Sequence, residues 1–455
     1  MITVIGLDGG PLAAVAAKRL DEATLVAGGA RHLAAVEVPV GAETVVMGNV
    51  ASAVERIASH HGRAVVLASG DPGFFGIAGT LRRAGLHAEI VPAVSSVAAA
   101  FGRAGLPWDD ALVVSAHGRD LRRAVNVCRA YRTVAVLTGP GAGPAELGSA
   151  LDRLDRRLLV AERLGTADER VLEVSPSEAA SRQWADPNVV LVLAPGHVPS
   201  AVPSGTRHER WTRTRNVPAA LSGLASNAPA ATDPGATDPG AIDPAATDSG
   251  AVDAGAVDPG ATGPGWIAGS GPGPAGWALP EDDFEHRDSM ITKYEVRALA
   301  LAKLAPKLGD LVWDVGAGSG SVAVECARFG AAVIAIERDR DACQRIGANA
   351  ERHAAELQIV HDTAPDALRD LPEPDAVFVG GGGPDVLAAC VARQPARIVA
   401  AYASLERGSA ARQALTAAGY RVDGVLLQSS RLADLPGGTT RLAATNPVLL
   451  VWGVR

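Results

Sequence analysis

Cysteine is scarce in this chain and carries no pattern. The four present, Cys128, Cys326, Cys343 and Cys390, stand far apart with no C-x-x-C pair, so neither a zinc framework nor a disulfide scaffold is indicated. A reducing cytoplasm is the expected compartment. Apolar runs of membrane-spanning length are missing, and MITVIGLDGG passes directly into an apolar strand with no basic segment before it. The chain is therefore read as soluble and unexported, with no membrane partner. Lysine and arginine are absent from residues 216–286, where ten acids fall: Asp233, Asp238, Asp243, Asp248, Asp253, Asp258, Glu281, Asp282, Asp283 and Glu285. The formal charge of −8 resides there, since without those ten acids 42 basic residues face 40 acidic ones. With no basic arm and no aromatic-plus-basic stripe, nucleic acid is not an expected partner.

The strongest signal lies in LVWDVGAGSGSVAVECARFGAAVIAIERDRDACQRI, residues 311–346, which reads as strand, glycine turn, helix, strand. Gly316, Gly318 and Gly320 form G-x-G-x-G, with Ala317 and Ser319 between them. The dinucleotide fingerprint needs its third glycine one residue further on, and Ser321 stands there. A ligand without a pyrophosphate fits better. Glu337 ends the apolar run AAVIAI, where its carboxylate can accept both ribose hydroxyls of an adenosyl group. Asp314 should lie beneath the glycine turn, either orienting it or meeting an ammonium group of the ligand. S-adenosylmethionine satisfies all of these; a Rossmann domain for another nucleotide is the blander reading.

A chain of 455 residues exceeds one ordinary core. From Ala231 to Gly265 it is built of seven pentads of the form A-T-D-P-G, with breakers in almost every unit and no apolar periodicity to bury. Such a stretch cannot offset its ordering entropy and is expected to be a disordered linker, with the flanking domains free to move. The expected division is residues 1–200, linker 201–276, and residues 277–455. Both folded parts are α/β. Strands are expected at ITVIGL, TLVAG, TVVMG, AVVLAS, AEIVPA, ALVVSA, TVAVLT, RLLVAERL and NVVLVLA before the linker. After it they are expected at LVWDV, AVIAIE, LQIVH, AVFVG, RIVAAYA, VDGVLLQ and PVLLVWG, giving a Rossmann-like seven-stranded, mostly parallel sheet with a final antiparallel hairpin.

The segments VIGLDGG (4–10), LASGDPGFFGIAGTL (67–81), VPAVSSVAAAFGRAGLPWDDALVVSAHGRDL (91–121), VAERLGTADERV and WADPNVVLV resemble the tetrapyrrole methylases, a two-lobed fold. LPEDDFEHRDSMITKYEVRALALAKL, WDVGAGSG and TNPVLLVWG resemble the decarboxylating partner domain found with them. Both halves in this order are similar to the precorrin-6Y C5,15-methyltransferase (decarboxylating) family. That resemblance implies S-adenosylmethionine in each half, methylation of a reduced precorrin-6 at C5 by the first half, and methylation at C15 with loss of the ring C acetate carboxylate by the second. The product would be precorrin-8, in cobalamin (corrin ring) biosynthesis. A homo-oligomer is also implied.

In the first half, the resemblance places the cofactor against Gly6, Asp8 and Gly9 of the first loop and against Ser69, Gly70, Asp71 and Phe75 of the second. The first loop departs from the commoner G-x-G-P-G form, with Leu7 and Asp8 after Gly6, which leaves the part played by Asp8 open. Ser95 and Ser96 should share that rim, as should His117, a proton shuttle or a structural histidine. Arg119, with Arg122 and Arg123, could pair with substrate carboxylates or simply form a solvated helix face. In the second half, Thr292 and Glu295 have capping-box spacing, the resemblance adds contact of Thr292 with the cofactor, and neighbouring Lys293 is a catalytic candidate. Asp362 and Ala364 should meet adenine. Gly380 opens a four-glycine turn suited to a planar macrocycle or to the methionine end of the cofactor.

Methyl transfer from a sulfonium needs alignment and exclusion of water more than an acid–base pair, so the lack of a Ser-His-Asp or Cys-His constellation is no obstacle. A long tether between two sites would raise the local concentration of an intermediate. The alternatives are the same chemistry on cobalt-precorrins, a tetrapyrrole-sequestering binding module, and methylation of protein or RNA by the second half.

Overall fold

The structure is a computed structural model and describes residues 1–196, 267–268, 276–287 and 291–455. The pentad repeat and most of the expected 201–276 linker lie outside the described residues, but Ile267 and Ala268, within that expected linker, form a strand paired with Val114 and Val113 of the second sheet.

The first sheet follows from continuous Val/Ile/Leu/Ala runs, which suit strands buried on both faces. It contains β1 (Ile2–Leu7), β2 (Leu25–Gly28), β3 (Glu43–Val46), β4 (Ala64–Ser69) and β5 (Ala88–Val91), all parallel, in the order β3-β2-β4-β1-β5. Because β1 lies between β4 and β5, the chain crosses over it through the helix Ile77–Arg83, and the turns after β1 and β4 emerge together. The register Leu7↔Ser69 sets those turns level. Ligands of open α/β sheets bind at such a crossover.

The second sheet is mixed. It contains β6 (Leu112–Ser115), β7 (Thr133–Leu137), β8 (Arg157–Glu162), β9 (Arg170–Val174), β10 (Asn188–Leu193) and β11 (Ile267–Ala268), in the order β11-β6-β7-β10-β8-β9. Every residue of β10 is buried. Val190 and Val192 pack with Val127, Leu147 and Leu151 on one face, and Leu191 packs with Val97 and Phe101 on the other. Each such side chain contributes roughly 1.5–3 kcal/mol on burial.

The third sheet contains β12 (Leu311–Val315), β13 (Ala332–Glu337), β14 (Gln358–His361), β15 (Ala376–Val379), β16 (Arg397–Tyr402) and β17 (Arg421–Leu427). Beyond a separate hairpin of β18 (Ser430–Leu435) and β19 (Thr439–Ala444), β20 (Val448–Val454) completes it. The order β14-β13-β12-β15-β16-β20-β17, with β20 antiparallel to both neighbours, is the expected seven-stranded arrangement. Trp313 in β12 is fully buried and anchors the layer between this sheet and its helices. No helix among the described residues is long and apolar enough to cross a membrane.

Candidate active sites

In the C-terminal half, β12 and β13 run in register from Leu311↔Ala332 to Val315↔Ile336, so the turn after β12 lies beside the end of β13. Gly316 has φ +73°, and a Cβ on it would stand 2.8 Å from the Gly381 amide nitrogen. Only glycine satisfies both conditions. The four-glycine turn after β15 thereby closes against the first glycine turn, and the Gly380 amide donates to Val315 O at 2.9 Å.

Two carboxylates organise this junction. One oxygen of Glu337 accepts the Gly318 amide at 2.9 Å, and the other accepts the amides of Arg338 (2.9 Å) and Asp339 (3.0 Å). A carboxylate offers about four lone-pair sites, so capacity remains for a ligand hydroxyl. Asp314 is 1% exposed. Its Oδ2 accepts the Ala323 amide at 2.9 Å, while Oδ1 is buried without a partner. Burial pushes this carboxyl up to about 7 against the pull of the Ala323 amide, with Glu337 adding to the rise. An orphaned buried oxygen is costly, and a cationic ligand group would relieve it.

Around these carboxylates is a cavity of about 770 Å³. Thr292, Lys293, Asp314, Gly316, Ala317, Gly318, Ser319, Glu337, Asp362, Ala364 and Gly380 all line it, so residues from five separate stretches of sequence meet there. Gly320 does not line it and packs instead toward Ile346. Arg338, Tyr402, Arg407 and Val448 also line the cavity, and sequence reasoning missed them. Tyr402 and Arg407 are brought in by β16 and the helix after it, for which the glycine motif gives no signal.

The expected capping box is corrected. Lys293, not Thr292, occupies the N-cap of the helix Tyr294–Leu304, with no side-chain cap bond. Glu295 is drawn away by Arg431 (2.7 Å), and Glu281 accepts the Tyr294 amide instead at 2.9 Å. Arg431 also grips Glu281 at 2.8 Å, so Glu281 and Glu295, which flank the cavity-lining residues Ile291, Thr292 and Lys293 in sequence, are both fastened to β18. Burial works to raise the Glu281 carboxyl, but the bonds from Arg431 and the Tyr294 amide bring it down to about 2. Beneath this wall lies a fully buried pair: Arg297 Nε donates to Glu325 at 2.7 Å, and Glu325 accepts the Ala278 (2.7 Å) and Leu279 (3.0 Å) amides. Such a pair is tolerated because each charge has further partners.

In the N-terminal half, Gly6, the penultimate residue of β1, lies where backbone meets backbone: a Cβ there would lie 1.9 Å from Gly70 O and 2.6 Å from the Ala93 nitrogen. Gly9 abuts Gly165, in the loop between β8 and β9, so the first loop touches the other lobe. A cavity of about 450 Å³ is lined by Gly6, Leu7, Asp8, Gly10, Leu12 and the strand end 91–94. Gly9, Ser69, Gly70, Asp71, Phe75, Ser95 and Ser96 do not line it. Asp71 accepts the Gly73 amide at 2.8 Å, a local turn bond, and Ser95 caps its helix through the Ala98 amide at 3.1 Å. Phe75 packs against Phe74 and the second-sheet core. Ser69 Oγ is held by Arg31 (2.9 Å) and His32 (2.8 Å), two residues the sequence reading did not single out.

His117 Nδ1 lies 3.4 Å from Thr138 O, which places the ring against the end of β7. Arg119 is exposed in the turn after β6, its amide donating to Ala116 O at 3.2 Å. Its neighbours Arg122 and Arg123 contact the C-terminal half, through Asp375 (2.8 Å) and Asp310 (2.6 Å) respectively.

Comparison with known proteins agrees with this two-part layout. Residues 3–180 match the tetrapyrrole (corrin/porphyrin) methylases, and residues 282–454 match the precorrin methyltransferase domain. Over 395 residues the chain is 35% identical to a precorrin-6Y C(5,15)-methyltransferase [decarboxylating] of Sinorhizobium sp, covering 84% of this chain and 78% of that one. A protein of the same description from Mycobacterium tuberculosis is 44% identical over 124 residues, 26% of this chain and 31% of that one. A probable cobalt-precorrin-6B C(15)-methyltransferase (decarboxylating) of Pyrobaculum calidifontis is 36% identical over 183 residues, 38% of this chain and 93% of that one. With both halves matched in this order, and a relative aligned along most of its length, the chain belongs to the precorrin-6Y C(5,15)-methyltransferase (decarboxylating) family.

Proposed function

We propose that the chain carries two S-adenosylmethionine sites, one in residues 1–200 and one in residues 277–455. The first half methylates a reduced precorrin-6 at C5. The second methylates C15 and removes the ring C acetate carboxylate, giving precorrin-8 in corrin-ring biosynthesis. The observation that carries this reading is the orphaned, buried Oδ1 of Asp314 beside the Gly316–Gly381 contact. Together they make a cradle for a group that bears both a cation and a flat, closely packed body.

Bound there, the cofactor supplies an electrophilic methyl group on a sulfonium. Asp314 Oδ1 would hold its ammonium group, and the spare lone pair of Glu337 would accept a ribose hydroxyl. Asp362 and Ala364 would flank its adenine, while Gly316 and Gly380 would allow backbone contact. Thr292 and Lys293, on the wall fastened by Arg431, exclude water from the reacting carbon. Lys293 and Arg407 supply the positive charge at the cavity wall that a polycarboxylate substrate requires. In the first half, the Gly6–Asp8–Gly9 turn and the strand end 91–94 bind through backbone groups. Ser69, Gly70, Asp71, Phe75, Ser95 and Ser96 hold that turn's surroundings in place, and His117 and Arg119 stand on the substrate side.

Incubating the chain with the metal-free reduced precorrin-6 and S-adenosylmethionine, followed by mass spectrometry, tests this. The expected product has gained two methyl groups and lost one carbon dioxide. Reaction only with a cobalt-loaded ring would move the substrate to the cobalt-precorrins, and no mass change with either would sink the proposal.

A further inference from the structure

The sequence leads one to expect two domains free to move on a tether, yet charged side chains of the N-terminal half are matched against the other half. On the helix Leu121–Ala130, Arg123 donates to Asp310 Oδ1 at 2.6 Å and to Gly309 O at 3.2 Å. Arg122 donates to Asp375 Oδ1 at 2.8 Å and to Glu373 O at 2.7 Å. Asn126, only 2% exposed, donates to Gly309 O at 3.0 Å. Beyond the helix, Arg132 pairs with Glu356 at 2.8 Å.

These contacts are not a scatter of solvated surface pairs, which contribute little. The Asp310 side chain is 1% exposed and is shared between Arg123 and Arg397 (2.5 Å). Asp375 spends its second oxygen on the Leu311 amide at 2.8 Å, so the acid that receives Arg122 also fixes the start of β12. Apolar contact accompanies the charge: Leu308 packs on the core of the second sheet, and Ala130 packs on the core of the third. Partly buried, hydrogen-bonded charge pairs of this kind both strengthen an interface and set its register.

We infer that the face formed by Arg122, Arg123 and Asn126 is a dedicated docking surface for the amino-terminal strand edge of the chain's own C-terminal half, and that the halves stay joined without the linker. A functional consequence follows from which end of the strands is used. Gly309, Asp310 and Asp375 precede β12 and β15, whereas Gly316 and Gly380 follow them. Five residues of strand separate the docked end from the cavity, roughly 16 Å. The docked face and the cavity therefore occupy opposite ends of the third sheet, and the C-terminal cavity is not closed by the N-terminal half. An intermediate passing between the halves of one chain has to leave one site before it enters the other.

The test uses the full chain with a site-specific protease sequence placed among the pentads of residues 231–265, cleaved after folding. At low ionic strength the two fragments should co-elute in size-exclusion chromatography and remain a 1:1 complex by native mass spectrometry. In 1 M NaCl they should separate more readily. In the cleaved Arg122→Glu/Arg123→Glu variant, dissociation should be stronger by about 30-fold or more, with Arg123→Lys retaining part of the affinity. Circular dichroism matching the parent before cleavage establishes that the variant is folded. Separation of the parent fragments at micromolar concentration and low salt would overturn the inference, as would a charge-reversed variant that holds together as tightly as the parent. Neither readout involves methyl transfer, so the docking and the proposed chemistry fail separately.

Discussion

The two glycine turns of this chain stand at comparable strand ends and are built on different principles. In the C-terminal half, the turn sits over a buried carboxylate with one oxygen unspent, and a second carboxylate, Glu337, holds the loop through the Gly318 amide while its other oxygen takes the Arg338 and Asp339 amides. In the N-terminal half, the polar side chains near the turn are occupied locally. Asp8 takes the Gly10 amide (3.0 Å), Asp71 the Gly73 amide (2.8 Å) and Ser95 the Ala98 amide (3.1 Å). Asp8 is the one charged side chain among the residues lining the N-terminal cavity, whose other lining residues present backbone and apolar groups. One half is prepared to recognise by charge, the other by shape and main-chain hydrogen bonds, although both are assigned the same cofactor.

The largest expected effects come from filling the two close approaches. Gly6→Val would drive side-chain carbon into Gly70 O, and Gly316→Val into the Gly381 amide at a position with φ +73°. Each should abolish cofactor binding in its own half, by a factor on the order of 100 or more, at a local cost of ~3 kcal/mol. Equilibrium dialysis should then find one site remaining per chain in either variant. Loss of both sites in Gly6→Val would mean that the halves do not bind independently.

These variants allow the contrast in charge to be measured directly. With only the C-terminal site intact, Asp314→Asn should weaken cofactor binding about 30-fold, as expected for removing one partner of a buried charge pair. With the Asp314 carboxyl raised to about 7 in the ligand-free protein, a proton must leave before the ammonium group can pair with it. Affinity should therefore rise as pH increases from 5.5 toward 7, by up to about tenfold per unit, and level off above that. The N-terminal site, titrated in the Gly316→Val background, should show no such slope. A flat profile at the C-terminal site would remove Asp314 from the ammonium contact.

The smallest effect concerns the wall of the C-terminal cavity. Arg431→Ala should lower stability by about 2 kcal/mol, read as a shift of several degrees in thermal unfolding. Because Glu281 is depressed to about 2, its contribution is complete above the ordinary carboxylate range and is lost as pH falls toward 2. The variant lacks that contribution at neutral pH already, so its acid-unfolding midpoint should lie higher than the parent's.

Much of the C-terminal site was legible because its determinants are local. An apolar strand carrying Asp314, a G-x-G-x-G turn and a second strand ending in Glu337 are readable within 30 residues, and one cavity gathers them. Strand β9 and the β18–β19 hairpin escaped notice. Their residues alternate or lie largely exposed, so no continuous apolar run marks them. Thr292 and Glu295 had the spacing of a cap, but Arg431, 136 residues away from Glu295, outcompetes the local bond. Arg122 and Arg123 looked like a solvated or substrate-facing cluster for the same reason. Their partners lie 253 and 187 residues further on, and nothing near either arginine announces them.

The division of labour between the halves is tested most directly by following carbon dioxide release in the two glycine variants with the reduced precorrin-6 and S-adenosylmethionine. Gly6→Val should still release carbon dioxide and yield a product with one added methyl group, whereas Gly316→Val should release none. Carbon dioxide loss that survives in Gly316→Val would contradict the assignment of decarboxylation to the C-terminal half.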